Sequence, residues 1–243
     1  MDMGVGTRFL IIMGMLMTFG FSHAQIITSG RIVFERKTNL EKKFNDARMK
    51  DWLNGKKDKV DQFELLFNDT ISIFKPIETD EVDRLSWATS KSTVLQNTTL
   101  NEKLFLLDVA GQQIFVKDTI TPREWKITDS KRTIDKYRCR KAVYEKNDST
   151  RLYAWYAVDI VPSIGPEGFG GLPGAILGLA TEDGGIIYFA KSVEFNEPKA
   201  ESFVVNTKKK DVYTPESLKE KFEKEMGGSE WAKRMYDEMF RWL

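Results

Sequence analysis

The stretch GFGGLPGAILGLATEDGGIIYFA, residues 168–190, decides the fold. It opens with glycines and one proline set among apolar residues, passes into an apolar run, turns at an acidic-glycine cluster and returns apolar. Pro173 fixes φ and donates no hydrogen bond, so it belongs at a strand entrance or on an edge. Gly168, Gly170 and Gly171 permit backbone angles and close approaches that a Cβ forbids, and Gly174 suits a bulge. The run from Ala175 to Ala180 then reads as a buried strand. Glu182-Asp183-Gly184-Gly185 reads as a hairpin turn and Ile186 to Phe195 as the return strand. A phosphate loop does not fit, because no GxxxxGK[ST] is present and the glycines precede a strand. The stretch is therefore read as a tight crossing that delivers a strand into a hairpin, with Phe169 and Leu172 plugging the core.

Working outward, the same logic recurs. Arg151 to Ile160 alternates: Leu152, Ala154, Tyr156, Val158 and Ile160 line one face, and Arg151, Tyr153, Trp155, Ala157 and Asp159 the other. Asn147-Asp148-Ser149 turns it back onto a strand from Lys136 to Tyr144, which Trp125-Lys126-Ile127 precedes. Further upstream, Leu104–Val109 and Gln113–Val116 flank Ala110-Gly111, and Phe63–Phe67 and Thr70–Phe74 flank Asn68-Asp69, two more hairpins. Ile32-Val33-Phe34 begins a first strand. Residues 77–102 are polar and read as a solvated loop; their acidic run Glu78 to Asp83 fits no calcium-loop template. The expected fold is mainly β within the α+β class: a curved antiparallel sheet or half-open barrel with C-terminal helices.

The period changes after Thr214-Pro215-Glu216, a helix start. Leu218, Phe222 and Met226 share a stripe. A second helix is expected from Ser229 to Leu243, whose apolar face, including Trp231, Met235, Tyr236 and Phe240, must be buried. The N-terminus reads as a signal peptide over residues 1–24, with Arg8, an apolar run from Phe9 to Phe21, and Ser22-His23-Ala24 at the cleavage point. That run is too short to span a bilayer. Residues 25–243 then form one domain with a helical segment at 214–243. The expected compartment is the periplasm or the exterior, and no transmembrane span is expected in the mature chain.

Composition restricts the chemistry. The only histidine, His23, departs with the signal, and Cys139 is the only cysteine. No histidine-dependent triad, no histidine metal site and no internal disulfide is then available. Cys139 alternates onto one face with Tyr137 and Val143, which suits a small buried hydrophobe. Without Asp2 and Arg8, 36 basic and 35 acidic residues remain, which gives no nucleic-acid footprint. No catalytic residue, metal ligand or cofactor is assigned. The binding candidates are Trp125, Tyr153 and Trp155, bulky residues on strands that line either a hollow or the core.

The motif Gly165-Pro166, Phe169, Gly171-Leu172-Pro173-Gly174, followed by Ile176 and an acidic residue with glycine, resembles the signature of the GLPGLI family of exported Bacteroidota proteins. Ala175 stands where that pattern usually has leucine. Trp125-Lys126-Ile127, Tyr137-x-Cys139-x-Lys141-Ala142 and Ala154-Trp155-Tyr156 look like further landmarks of it, in order. The resemblance spans roughly residues 30–226. It implies the fold and export, and it carries no activity. The strand, Asp-Gly turn and return strand are also similar to the end of the sheet in lipoprotein carriers of the LolA kind. Two non-enzymatic functions follow as expectations: a cell-envelope binding or carrier module for an apolar ligand, and an interaction subunit of an outer-membrane or secretion assembly. A carboxylate-dependent hydrolase is the third.

Overall fold

The computed structural model describes residues 26–44, 51–79, 83–109, 112–147, 150–208, 210–227 and 236. The segment read as a signal peptide, and all of the expected 229–243 helix except Tyr236, lie outside the described residues. Among the described residues twelve strands form one sheet: β1 (Gly30–Asn39), β2 (Asp58–Phe67), β3 (Ile71–Pro76), β4 (Ser92–Asn97), β5 (Glu102–Val109), β6 (Gln112–Thr119), β7 (Trp125–Ile134), β8 (Tyr137–Asn147), β9 (Thr150–Ala157), β10 (Ala175–Thr181), β11 (Ile186–Glu194) and β12 (Val212–Tyr213). Two helices accompany them, α1 (Leu40–Lys43) and α2 (Pro215–Met226). The strand order is β12-β6-β5-β4-β3-β2-β1-β11-β10-β9-β8-β7. Every pairing between these strands is antiparallel except that of β12 with β6.

The order forces the curvature. Strands β6 and β7 stand ten strand spacings apart in the sheet, about 48 Å if it were flat. Residues 120–124 alone connect them, and so short a link reaches only about 20 Å. The sheet therefore curls until its two flanks face each other. The expected curved antiparallel sheet is what the chain forms: two meanders, β2–β6 and β7–β11, hinged on β1, which pairs with both β2 and β11.

The inner face holds the main core. Ile32, Phe34, Phe63, Leu65, Phe74, Phe105, Leu152, Tyr156, Leu179 and Tyr188 are all buried there. Phe63 stacks on Phe74 with centroids 4.9 Å apart, and Phe34 and Tyr188 meet Phe74 edge-on. The segment between β9 and β10 lies across this face and fills it with Ile164, Phe169 and Leu172. At the β6 flank, α2 adds Leu218 and Phe222. Its start is capped by Thr214 and Ser217, which exchange backbone hydrogen bonds, and it ends at Gly227 in the left-handed conformation. Tyr236 meets Phe222 edge-on and donates to the Pro215 carbonyl. On the outer face of β2 and β3, Leu66 and Ile73 are covered by Phe203, on the way from β11 to β12.

Two expectations need correction. Residues 77–102 are not simply a loop: β4 lies there, between β3 and β5. It looked polar because Ser92 and Gln96 project inward, where the crossing segment accepts their hydrogen bonds through Glu167 and the Gly168 carbonyl. The alternation read through Ile160 stops at Ala157, where β9 ends. Val158 is exposed, while Ile160 is buried as the crossing begins.

Candidate functional site

The glycine-proline motif is built into the fold at every position. Trp125 donates its indole N–H to the Gly170 carbonyl at 2.9 Å, and the Ser163 hydroxyl accepts from the Gly171 amide at 2.7 Å. Phe169 and Leu172 are buried, as their plugging role requires. Gly165 packs against Ile176, and Pro166 starts a short 3-10 turn at Pro166–Gly168. Gly174 has φ +140°, and a Cβ there would stand 2.1 Å from the Ala157 carbonyl oxygen. Pro173 precedes the strand on the exposed side.

The structure separates the three aromatic candidates. Trp125 lies on the inner side against Tyr144, 5.6 Å between centroids, and Phe169, 6.3 Å. Tyr153 and Trp155 lie on the outer face of the β7–β11 meander, both half-buried. There they meet residues that per-strand reading could not bring to them. The Lys141 ammonium stands 3.8 Å from the Tyr153 ring centre and 5.7 Å from that of Trp155. The Arg132 guanidinium stands 5.1 Å from the ring centres of both Trp155 and Phe189. Trp155 and Phe189 stack across β10 at 6.4 Å. Gly178 leaves the room for this, since a Cβ there would come within 3.1 Å of Ile134 and 3.4 Å of Trp155. Beyond it, Lys136 stands over Phe195 at 4.7 Å. The result is a ladder in which rings and cations alternate, Tyr153-Lys141-Trp155-Arg132-Phe189. Among the described residues, none of Arg132, Lys136 and Lys141 meets a carboxylate within 4.0 Å. The neighbouring charges are paired: Arg151 and the Tyr153 hydroxyl both meet Glu182, and Lys126 meets Glu145. The hydrogen bond to Glu182 raises the pKa of Tyr153, so its phenol stays neutral.

A second constellation escaped the sequence reading. Arg36 of β1 projects inward and donates to Asp61 of β2 at 2.8 Å. Asp61 also accepts from Lys59 and Thr89 at 2.7 and 2.8 Å. Burial alone would raise the Asp61 pKa; the charge of Arg36 and these donors outweigh it and bring it down to about 2. On the other side of Arg36, Glu167 accepts from the Tyr188 hydroxyl at 2.5 Å and from Ser92 at 2.8 Å. Glu167 holds a left-handed backbone, φ 53° and ψ 27°, unusual for a buried non-glycine residue. Burial, then the neighbouring Glu167 carboxylate, raises the Tyr188 pKa well above the ordinary value. A polar pocket of about 670 Å³ opens beside this network, lined among others by Lys59, Asp61, Asp83 and Lys91. Within it Lys59 is closed by Asp61, Thr89 and Asp83. The one available signal was parity: Ile32, Phe34, Arg36 and Thr38 share a face, so the apolar row of β1 runs directly into a charge.

Cys139 is buried, and burial pushes its thiol up to about 11. No group of three or more candidate metal ligands occurs among the described residues. No helix among them is long and apolar enough to cross a membrane.

No family model matches the chain, and no curated protein matches it in sequence. Among solved structures the fold is similar to PNGF-II in two crystal forms. One gives 16% identity and a TM-score of 0.55 over 79% of this chain and 32% of that chain. The other gives 16% identity and a TM-score of 0.54 over 80% and 32%. The chain thus spans about a third of the length of PNGF-II. An uncharacterized conserved protein from Thermus thermophilus aligns with a TM-score of 0.41 at 6% identity over 76% of this chain and 91% of that one. At these identities the likeness to PNGF-II is one of fold alone.

Proposed function

We propose that this chain is an exported, non-enzymatic binding module of the cell envelope, of the GLPGLI kind that its motif resembles, and that its protein partner docks on the outer face of β7–β11. The observation that carries this reading is the ring-cation ladder. Arg132, Lys136 and Lys141 lie against aromatic rings and, among the described residues, lack carboxylate partners. Rings that hold these long side chains in place lower the entropy lost on docking, and Trp, Tyr and Arg are the residues that dominate interface energetics. The ring faces are already occupied by the cations, so what the ladder offers outward is N–H donors. The complementary surface is anionic. Docking by strand addition at the β7 edge is disfavoured, because that edge carries a bulge between Ile127 and Lys131 and a run of exposed polar residues.

The carrier reading favours the inner face instead. There Phe169, Leu172, Leu218 and Phe222 already occupy the space between the flanks, and a ligand would have to displace packed side chains. This packing favours the interaction-subunit reading over the carrier.

Charge reversal separates the two. Arg132→Glu with Lys141→Glu forfeits their ring contacts and should lower the melting temperature by several degrees while leaving the protein folded at growth temperature, and should abolish co-fractionation with the envelope assembly in the native host, while Lys117→Glu, on β6, should leave co-fractionation intact. Unchanged co-fractionation of the double variant would refute the outer-face reading.

A further inference from the structure

The sheet has a gap in its middle. β2 pairs with β1 from Asp58 to Phe67, but with β3 only from Phe63 to Phe67. The last bond between β2 and the chain leaving β3 runs from the Ile77 amide to the Gln62 carbonyl at 2.9 Å. The chain then turns away over 77–91 and re-enters the sheet as β4. Asp58 to Asp61 thus have no strand partner on that side among the described residues. Because the Gln62 carbonyl points towards β3, alternation turns the N–H and C=O of Val60 and Asp58 the same way, into the gap. The pocket of about 670 Å³ lies here, within the range of ligand sites. It is bordered by the consecutive residues 58–62. Their side chains alternate between the two faces, so the pocket runs along the edge of the strand, where β3 would continue. Ile77, Arg84, Leu85 and Lys91 also line it, and Leu85 is fixed in a buried cluster with Leu40 and Leu53.

The charges of the pocket are unevenly spent. Each carboxylate in its lining is closed by a cation: Asp58 meets Lys37 at 2.9 Å, Asp61 meets Arg36 at 2.8 Å, and Asp83 meets Lys59 at 2.9 Å. On the inner side Lys59, Asp61 and Thr89 bond to one another, all three buried. The remaining cations of the lining are not closed. Lys56 and Arg84 meet no carboxylate within 4.0 Å among the described residues. Lys91 stands 3.5 Å from Asp61, but both oxygens of that carboxylate already accept shorter bonds. An open backbone edge and unspent positive charge therefore occupy the same pocket.

We propose that an acidic, extended peptide segment of a partner protein adds to the open edge of β2 as a short strand, pairs with Val60 and Asp58, and sets its carboxylates against Lys56, Arg84 and Lys91. Residues 58–61 offer about 14 Å of edge. Main-chain bonds supply the affinity of such an added strand, and the cations select an acidic sequence. The site lies on β2 and the 77–91 link and is independent of the outer-face reading of β7–β11.

The test is calorimetric titration of the full mature chain with a short peptide of alternating glutamate and valine, capped at both ends, with its lysine-valine counterpart, and with inorganic phosphate. The acidic peptide should bind and the basic one should not. Arg84→Gln with Lys91→Gln should lower its affinity about tenfold or more. Arg132→Gln with Lys141→Gln, equal in charge lost but on the outer face of β7–β11, should leave it unchanged. Two readouts isolate the backbone. Val60→Pro removes an N–H that the pairing with β1 does not use and should abolish binding. Of two acidic peptides N-methylated at alternate residues, one should lose binding and the other keep it, and this readout needs no variant of the protein. No binding of the acidic peptide up to about 1 mM overturns the proposal. So does equal binding of both N-methylated peptides, or binding of phosphate as tight as that of the peptide, which would identify a site for anions in general.

Discussion

Substituting alanine at Gly171 and at Gly174 separates backbone strain from collision within one turn of chain. Gly171 has φ +88°, but a Cβ there would find its nearest neighbour, the Arg123 carbonyl oxygen, at 3.5 Å. Only the conformational penalty applies, about 1–2 kcal/mol. Gly174 has φ +140°, and a Cβ would stand 2.1 Å from the Ala157 carbonyl oxygen and 2.8 Å from its carbon. Both obstacles are backbone, and no rotamer change relieves them. The start of β10 must move off the end of β9, which puts at risk the bonds from the Gly174 amide to Leu172 and from the Ala175 amide to Ile160. Two such bonds at about 1 kcal/mol each, added to the same conformational penalty, bring the loss to about 4 kcal/mol. For a domain of this size the expected falls in melting temperature are about 2–8 °C for Gly171→Ala and about 8–16 °C for Gly174→Ala. Differential scanning calorimetry of the two purified variants measures both. Equal melting temperatures, or a Gly174→Ala protein as stable as the parent, would show that collision with β9 is not what reserves this position for glycine.

Two further outcomes follow from buried groups. Asp61 has its folded pKa held down to about 2 from an ordinary value near 4, so its contribution is fully present above about pH 4 and is lost as pH falls through 2. Denaturant midpoints between pH 5 and 2 should therefore fall by the equivalent of about 2 kcal/mol more in the parent than in Asp61→Asn, and parallel curves would contradict this. Cys139, buried with its thiol pushed up to about 11, should react with an aromatic disulfide reagent only on unfolding. Rapid labelling of the native protein at pH 8 would contradict its burial.

Local features were the legible ones. Asn68 announces its hairpin because its side chain accepts from the amides of Thr70 and Ile71. Asp183 does the same with the Gly185 amide. Such bonds lie within a few residues, so a turn can be read without knowing what the strands pair with. Faces are different. Alternation assigned Tyr153 and Trp155 to one side of their strand but could not relate that side to Trp125, three strands' worth of chain earlier. Nor could it show that Lys141 stands directly opposite Trp155, which is a matter of register. The β7–β8 turn at Asp135 and Lys136 lacks glycine, and Asp135 adopts φ 52° instead, so the long hairpin was shortened in the reading. The Arg36–Asp61 pair needed the β1–β2 register as well. Ser92 and Gln96 concealed β4 because tertiary partners satisfy groups that would ordinarily mark a loop.

The position of β1 bears on the kinetics of folding. Each meander consists of strands that neighbour one another in sequence, joined by turns or, at 77–91 and 158–174, by longer links, so its pairings all close loops far shorter than that between β1 and β11. The strand between them is made first but pairs on one side with β2 and on the other with β11, so Phe34 lies opposite Ala190. That contact has a very long sequence separation, and its loop-closure cost is met before any of the inner core can be sealed. During vectorial emergence, β1 and β2 can pair early while one side of β1 stays open, an unpaired edge bearing the apolar residues Ile32 and Phe34. Until β11 has emerged, that unpaired apolar edge is open to pairing with other chains.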